Sequence, residues 1–146
     1  MTSIYVLLAM KSFLALLILN LCMSLFAGCR TVPIPDNVDV ETFAAMLQNP
    51  KFQLVDVRTL EEFKQGHIEH ALLIDVKQPD FIARAEKMLD KKRPIAIYCR
   101  SGRRSTYAAS LLCKKGYRVT NLLGGFIDWK EQMPWSSSIP DSLVAE

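Results

Sequence analysis

The sequence has no Cys-x-x-Cys pair and no cluster of cysteine and histidine at metal-ligand spacing. That absence argues against a structural zinc and any other bound metal. Its four cysteines do not form a disulfide framework either. Cys22 and Cys29 lie in or beside an apolar N-terminal stretch, while Cys99 and Cys113 lie far downstream. An excess of one charge is also missing: 18 basic residues against 15 acidic ones leave +3. Such a balance implies neither nucleic-acid binding nor a polybasic membrane surface. Internal repeats are absent. What remains is a chain with half its residues hydrophobic, suited to one compact domain.

Charge is wholly missing from Ser12 to Gly28. Lys11, the apolar run behind it and the small residues Ala27-Gly28 make the three parts of an export signal over residues 1–28. Met10 is an alternative start. The ending Phe26-Ala27-Gly28-Cys29 resembles a bacterial lipobox, which implies lipidation of Cys29 and attachment to the cell envelope, with the domain facing the periplasm. Phe26 stands where that pattern prefers Leu, with Leu25 one step earlier. An uncleaved helical anchor and simple secretion are the alternatives. The run falls slightly short of the ~20 residues that span a bilayer, and Asn20 and Ser24 weaken a span. The prolines of Thr31–Pro35 make residues 29–35 an extended spacer. A globular domain is expected over 36–135 and a loosely held polar tail over 136–146.

Within the domain, hydrophobic spacing predicts helices and strands in alternation. Asp39 caps a helix running to Gln48, with Phe43, Met46 and Leu47 on its apolar face. Phe52–Asp56 reads as a buried strand, Leu60–Gln65 as a short helix turned by Gly66, and Ala71–Ile74 as another strand. Pro79–Leu89 returns to helical spacing, and Asp90–Arg93 reads as a solvated loop. Pro94–Tyr98 is a strand, Arg104–Lys115 a helix stopped by Gly116, and Val119–Leu122 a last strand. Gly124-Gly125 then opens a short helix carrying Phe126, Ile127 and Trp129. Apolar strands alternating with helices indicate an α/β fold with a parallel sheet covered on both faces.

The chemistry concentrates in Cys99-Arg100-Ser101-Gly102-Arg103-Arg104-Ser105, between a buried strand and a helix. In open α/β sheets, ligands bind beyond the carboxyl ends of the strands. Loop N–H groups and the N-terminus of the next helix cradle an anion, and Gly102 permits the tight turn. Arg100, Arg103 and Arg104 add charge, and Ser101 and Ser105 add hydroxyls. Surroundings of this kind favour the thiolate of a cysteine held among them. A thiolate facing an anion cradle calls for an anionic substrate with an electrophilic centre. Thiosulfate meets that requirement, and so does a phosphate ester. Cys113, inside an apolar helix, reads as inert packing.

This loop, with Ala108-Ala109 and Leu111-Leu112 behind it, resembles the active-site loop of rhodanese-family proteins. Leu54–Arg58 with Glu62–Ile68 resembles that family's upstream landmark, and Lys115–Tyr117 with Asn121–Phe126 and Trp129 its close. The resemblance covers about residues 36–135. It implies a rhodanese-like fold, a five-stranded parallel sheet flanked by helices, and a persulfide on Cys99. It implies Arg100–Ser105 as the substrate loop, with Arg104 supporting the loop's charge. Asp56 and Arg58 are then a buried pair that fixes loops, and His67 a structural hydrogen-bonding group. The family usually has Gly where this chain has His70, a difference that touches a turn.

The expected activity is a sulfurtransferase needing no cofactor, with an anionic sulfur donor and a thiol or cyanide as acceptor. Two rivals stand beside it. One is a phosphatase on the same fold, whose loops resemble Cys-x5-Arg; Cys99 to Arg104 is Cys-x4-Arg. The other is a non-catalytic binding or sulfur-carrier module for a partner protein.

Overall fold

The computed structural model describes residues 34–133 and the pair Ser137–Ser138. The export signal over 1–28, Cys29, most of the spacer and most of the tail lie outside the described residues.

Five strands form one sheet: β1 (Asp36–Val38), β2 (Gln53–Asp56), β4 (Leu72–Leu73), β5 (Ile95–Tyr98) and β6 (Val119–Leu122). Their order is β1-β6-β5-β2-β4, and every neighbouring pair runs parallel. Four helices connect them, α1 (Val40–Leu47), α2 (Leu60–Lys64), α3 (Phe81–Met88) and α4 (Arg103–Lys114), and a fifth, α5 (Gly125–Gln132), follows β6. The expected α/β architecture, a five-stranded parallel sheet flanked by helices, is thus present, with β5 at its centre.

Strand residues alternate between two cores, as the two-residue period requires. Val55, Ile95 and Ile97 pack on one face with Phe81 and Ala85 of α3 and Ala108 and Leu112 of α4. Leu54, Ala96 and Tyr98 pack on the other with Val40 and Phe43 of α1 and Phe126 and Trp129 of α5. Burial on both faces explains why β2 and β5 read as unbroken runs rather than alternating ones. Gln53 is the polar exception in β2. Its amide donates to Asp90 O at 2.9 Å and accepts from Asp90 N at 2.8 Å, so its burial is compensated.

Helix starts follow their caps. Asp39 accepts from Thr42 N at 2.9 Å, and that bond holds its carboxyl below the usual range. Thr59 and Glu62 close a capping box over α2, which contains no buried residue and depends on it. Gly102, left-handed at φ 85°, starts α4 at Arg103.

Sequence periodicity alone indicated four strands. The fifth, β1, is a short and mostly exposed edge strand, defined by its pairing with β6 rather than by an apolar pattern. A second, two-stranded sheet pairs β3 (His67–Ile68) antiparallel with β7 (Ser137–Ser138), so two residues of the expected loose tail are in a strand. The charged loop before β5 also does more than face solvent. Arg93 donates to the carbonyls of Pro50, Lys51 and Phe52 at 2.9, 3.0 and 3.3 Å, tying two loops together. No helix among the described residues is long and apolar enough to cross a membrane.

Candidate active site

Cys99 is the first residue beyond the central strand, and its side chain is fully buried. Four residues later, at Arg103, α4 begins, so the segment Cys99–Gly102 is a tight loop at the carboxyl end of β5. Ser105, also fully buried, lies on the first turn of α4 with its hydroxyl 3.4 Å from Cys99 Sγ and 3.0 Å from Gly102 O. A hydroxyl has one proton to give and two lone pairs to receive. With a thiol at Cys99 the Ser105 proton can stay on Gly102 O; with a thiolate it can turn to sulfur. Gly102 O then keeps the Thr106 hydroxyl at 2.8 Å and the Thr106 N–H at 3.0 Å.

The loop is gripped from behind by α5. Phe126 N–H donates to Cys99 O at 2.8 Å, and Ile127 N–H to Arg100 O at 3.1 Å. Two orphan donors of a helix start are thereby satisfied by two carbonyls of the loop. Such closeness demands Gly125. A Cβ there would lie 2.6 Å from Cys99 O and 2.8 Å from Arg100 O, and its φ is +65°.

Two ion pairs flank the loop. Arg104, one residue into α4, donates through Nη1 and Nη2 to the two oxygens of Glu62 at 2.6 Å each. That guanidinium holds the Glu62 carboxyl down at about 2, and Glu62 in turn strengthens the proton affinity of Arg104. The same Glu62 accepts from Thr59 N, so one carboxylate closes both the α2 cap and the arginine clamp. Deeper, Arg58 donates through Nη2 to Asp56 at 2.6 Å and to Gly66 O at 2.8 Å, with Phe126 under its guanidinium at 4.2 Å. Both members of that pair are buried, so removing one alone leaves an uncompensated charge.

His67 is the first residue of β3. Its Nδ1 is 3.1 Å from Phe63 O and its ring stacks on Phe63 at 3.6 Å. Arg100, Ser101 and Arg103 are exposed, and neither arginine forms an ion pair among the described residues. A cleft of about 390 Å³ opens between Arg58, Arg100, Phe126 and Lys130, and a second of about 360 Å³ between Ser101, Arg103, Arg104 and Tyr107. Cys113 packs in the same core as Cys99, and burial pushes its thiol up. Among the described residues no group of three or more His, Cys, Asp or Glu side chains is placed to hold a metal.

Sequence reasoning missed three contributors. Glu62 was legible through the Thr59-x-x-Glu62 capping pattern, but its second partner was not. Gly125, which by its place in the sequence only opens the last helix, also permits close approach to the loop. Asn121, a fully buried strand residue, donates to Thr106 Oγ1 at 3.2 Å and Asn37 Oδ1 at 2.9 Å. It thereby links the edge of the sheet to the helix start behind Cys99, a link no local pattern announces.

Residues 39–132 match the family model described as "Rhodanese-like domain". "Thiosulfate sulfurtransferase 18" of Arabidopsis thaliana is 33% identical over 64% of this chain and 76% of its own length. A "Sulfurtransferase" of Allochromatium vinosum is 38% identical over 64% of this chain and 87% of its own. Among solved structures, reduced Bacillus anthracis CoADR-RHD superposes with a TM-score of 0.64 at 31% identity, covering 71% of this chain but only 18% of that longer one.

Proposed function

The chain belongs to the rhodanese-like domain family, and from that premise we propose that it transfers sulfane sulfur through a persulfide on Cys99. The donor is thiosulfate or a related sulfur anion, a choice supported by the name of the relative "Thiosulfate sulfurtransferase 18". The Cys99 thiolate attacks the outer sulfur of thiosulfate. The S–S bond of the donor breaks, sulfite leaves with the bonding pair, and Cys99 carries a persulfide. An acceptor thiolate, or cyanide, then attacks the terminal sulfur, and Cys99 departs as thiolate. The exposed Arg100 and Arg103 attract the anion, while Arg104 and Glu62 keep the loop in shape.

One observation carries this reading: a buried cysteine at the end of the central strand, with a serine hydroxyl 3.4 Å from its sulfur inside a loop rimmed by two exposed arginines. Arg104 argues against the phosphatase alternative. Its guanidinium is already held at both ends by Glu62 and would have to abandon that carboxylate to grip a phosphate ester.

Mass spectrometry of the protein after incubation with thiosulfate is the test. One added sulfur on Cys99, removed by cyanide and absent in Cys99→Ser, is expected. No adduct from any sulfane donor, together with hydrolysis of an aryl phosphate, would overturn the reading. Turnover needs an outside thiol, because Cys113 sits near the far end of 12-residue α4. That places it ~15 Å along the helix axis, too far for a disulfide in the folded state.

The proposal extends to location. Export by residues 1–28 and lipidation of Cys29 would place this chemistry in the cell envelope, beside the membrane. Cys29→Ser is expected to block processing or release the domain, and an intact N-terminus on the membrane-bound protein would favour an uncleaved anchor.

A further inference from the structure

The cleft beside the loop has an uneven set of charges. Two of its lining groups are already neutralised: Arg58 by Asp56 at 2.6 Å, and Glu62 by Arg104 at 2.6 Å. The other two, Arg100 and Lys130, are both exposed and form no ion pair among the described residues. Lys130 contributes only a cation–π contact, with Nζ 5.9 Å from the centre of the Phe126 ring. The wall of the cleft therefore presents two positive charges with no ion-pair partner among the described residues, beside the exposed side chain of Ile127. Its volume, about 390 Å³, falls within the ~300–1,000 Å³ range of pockets that hold organic ligands. A small inorganic sulfur anion leaves most of that space empty. The wall is also fixed to the reacting loop, since the N–H groups of Phe126 and Ile127 hold Cys99 O and Arg100 O.

We infer that Arg100 and Lys130 are a specificity pair that reads the carboxylate of the acceptor, so that the preferred acceptor is a small organic thiol bearing an acid group. This inference rests on the sulfur-transfer reading and adds the substrate class of its second half. In that half-reaction the acceptor's thiolate attacks the terminal sulfur of the Cys99 persulfide. A new S–S bond forms, the S–S bond to Cys99 breaks, and the electron pair returns to Cys99 as thiolate. The acceptor leaves as an organic persulfide, its thiol proton having gone to solvent. No net oxidation occurs. The carboxylate does not react. It anchors the acceptor against Lys130 and Arg100, while the exposed Ile127 side chain takes the methylenes between the two ends.

The experiment separates the two half-reactions. Protein is first loaded with thiosulfate, freed of donor, and checked for the added sulfur by mass spectrometry. Discharge is then timed with 3-mercaptopropionate and with its neutral analogue 3-mercaptopropionamide, each rate constant being expressed per thiolate. The wild-type protein should favour the acid about three- to tenfold. Lys130→Gln should bring that ratio close to one, mainly by slowing the acid, and Lys130→Arg should restore it. Equal ratios in wild type and Lys130→Gln would overturn the inference. So would a Lys130→Gln protein whose loading by thiosulfate slows as much as its discharge, since Lys130 would then serve the donor. Failure to load at all would be seen before any acceptor is added, and would mark failure of the sulfur-transfer reading itself.

Discussion

Glu62 and Arg104 meet end to end, two hydrogen bonds of 2.6 Å joining the cap of α2 to the first turn of the helix behind Cys99. The pair is about a quarter exposed, with side-chain accessibilities of 26% and 24%, so its geometry is protected while its charges still feel solvent. Its consequence is a pH dependence. The carboxyl of Glu62 titrates near 2 in the folded protein against an ordinary value of 4.5, chiefly because Arg104 bonds to the ionised form. A depressed folded-state value stabilises the fold above the ordinary value and loses that stabilisation as pH falls from about 4.5 towards 2. Glu62→Gln should cost on the order of 1–2 kcal/mol at neutral pH after allowance for solvent screening. Urea denaturation at pH 7 and pH 3 checks this, because the gap between variant and wild type should narrow at the lower pH.

Gly125 and Gly116 make a controlled comparison. Both have positive φ, +65° and +86°, but a Cβ meets Cys99 O at 2.6 Å in the first and nothing within 4 Å in the second. Gly116→Ala should cost only the backbone strain, about 1–2 kcal/mol, and leave sulfur transfer intact. Gly125→Ala has to displace the loop as well. Its transfer rate should fall at least tenfold, since misplacing a reacting group by ~1 Å can cost that much or more. A Gly125→Ala protein with normal rates would contradict the close packing of α5 on the loop.

Ser105→Ala separates the hydroxyl from the fold. Gly102 O retains both Thr106 donors, so the loss in stability should stay near 1 kcal/mol. Persulfide formation, followed by stopped mixing with thiosulfate, should slow by roughly three- to tenfold at neutral pH, because the thiolate loses a hydrogen-bond donor. An unchanged loading rate would show that the 3.4 Å contact to Cys99 Sγ has no part in the chemistry.

His70 is the one non-glycine among the described residues with positive φ, at 63°. Its side chain is 89% exposed, with Glu69 at 3.6 Å as its one ionic neighbour among the described residues. Left-handed backbone strains a side chain by roughly 1–2 kcal/mol, partly offset by glycine's greater freedom when unfolded. His70→Gly should therefore stabilise the protein by about 0.5–1 kcal/mol, read as a higher urea midpoint with an unchanged slope.

Local pattern determined much of this protein. The apolar runs of β2 and β5 are legible because both sides of each strand are buried. Asp39 and the Thr59-x-x-Glu62 box mark helix starts through hydrogen bonds made within a few residues, and Cys99 with its arginines and Gly102 marks the reactive loop by composition alone. Tertiary structure decided the rest, because the determining partner lies far along the chain. Asp36–Val38 becomes a strand only against β6, and Ser137–Ser138 only against β3. Arg104 is one of three loop cations by sequence, but Glu62, 42 positions earlier, neutralises it, and Arg100 and Arg103 are the two without an ion pair among the described residues. Gly125 looked like a turn until α5 closed on Cys99 O. A sequence states what each residue can donate, accept or bury; which distant group answers it is fixed only when the chain packs.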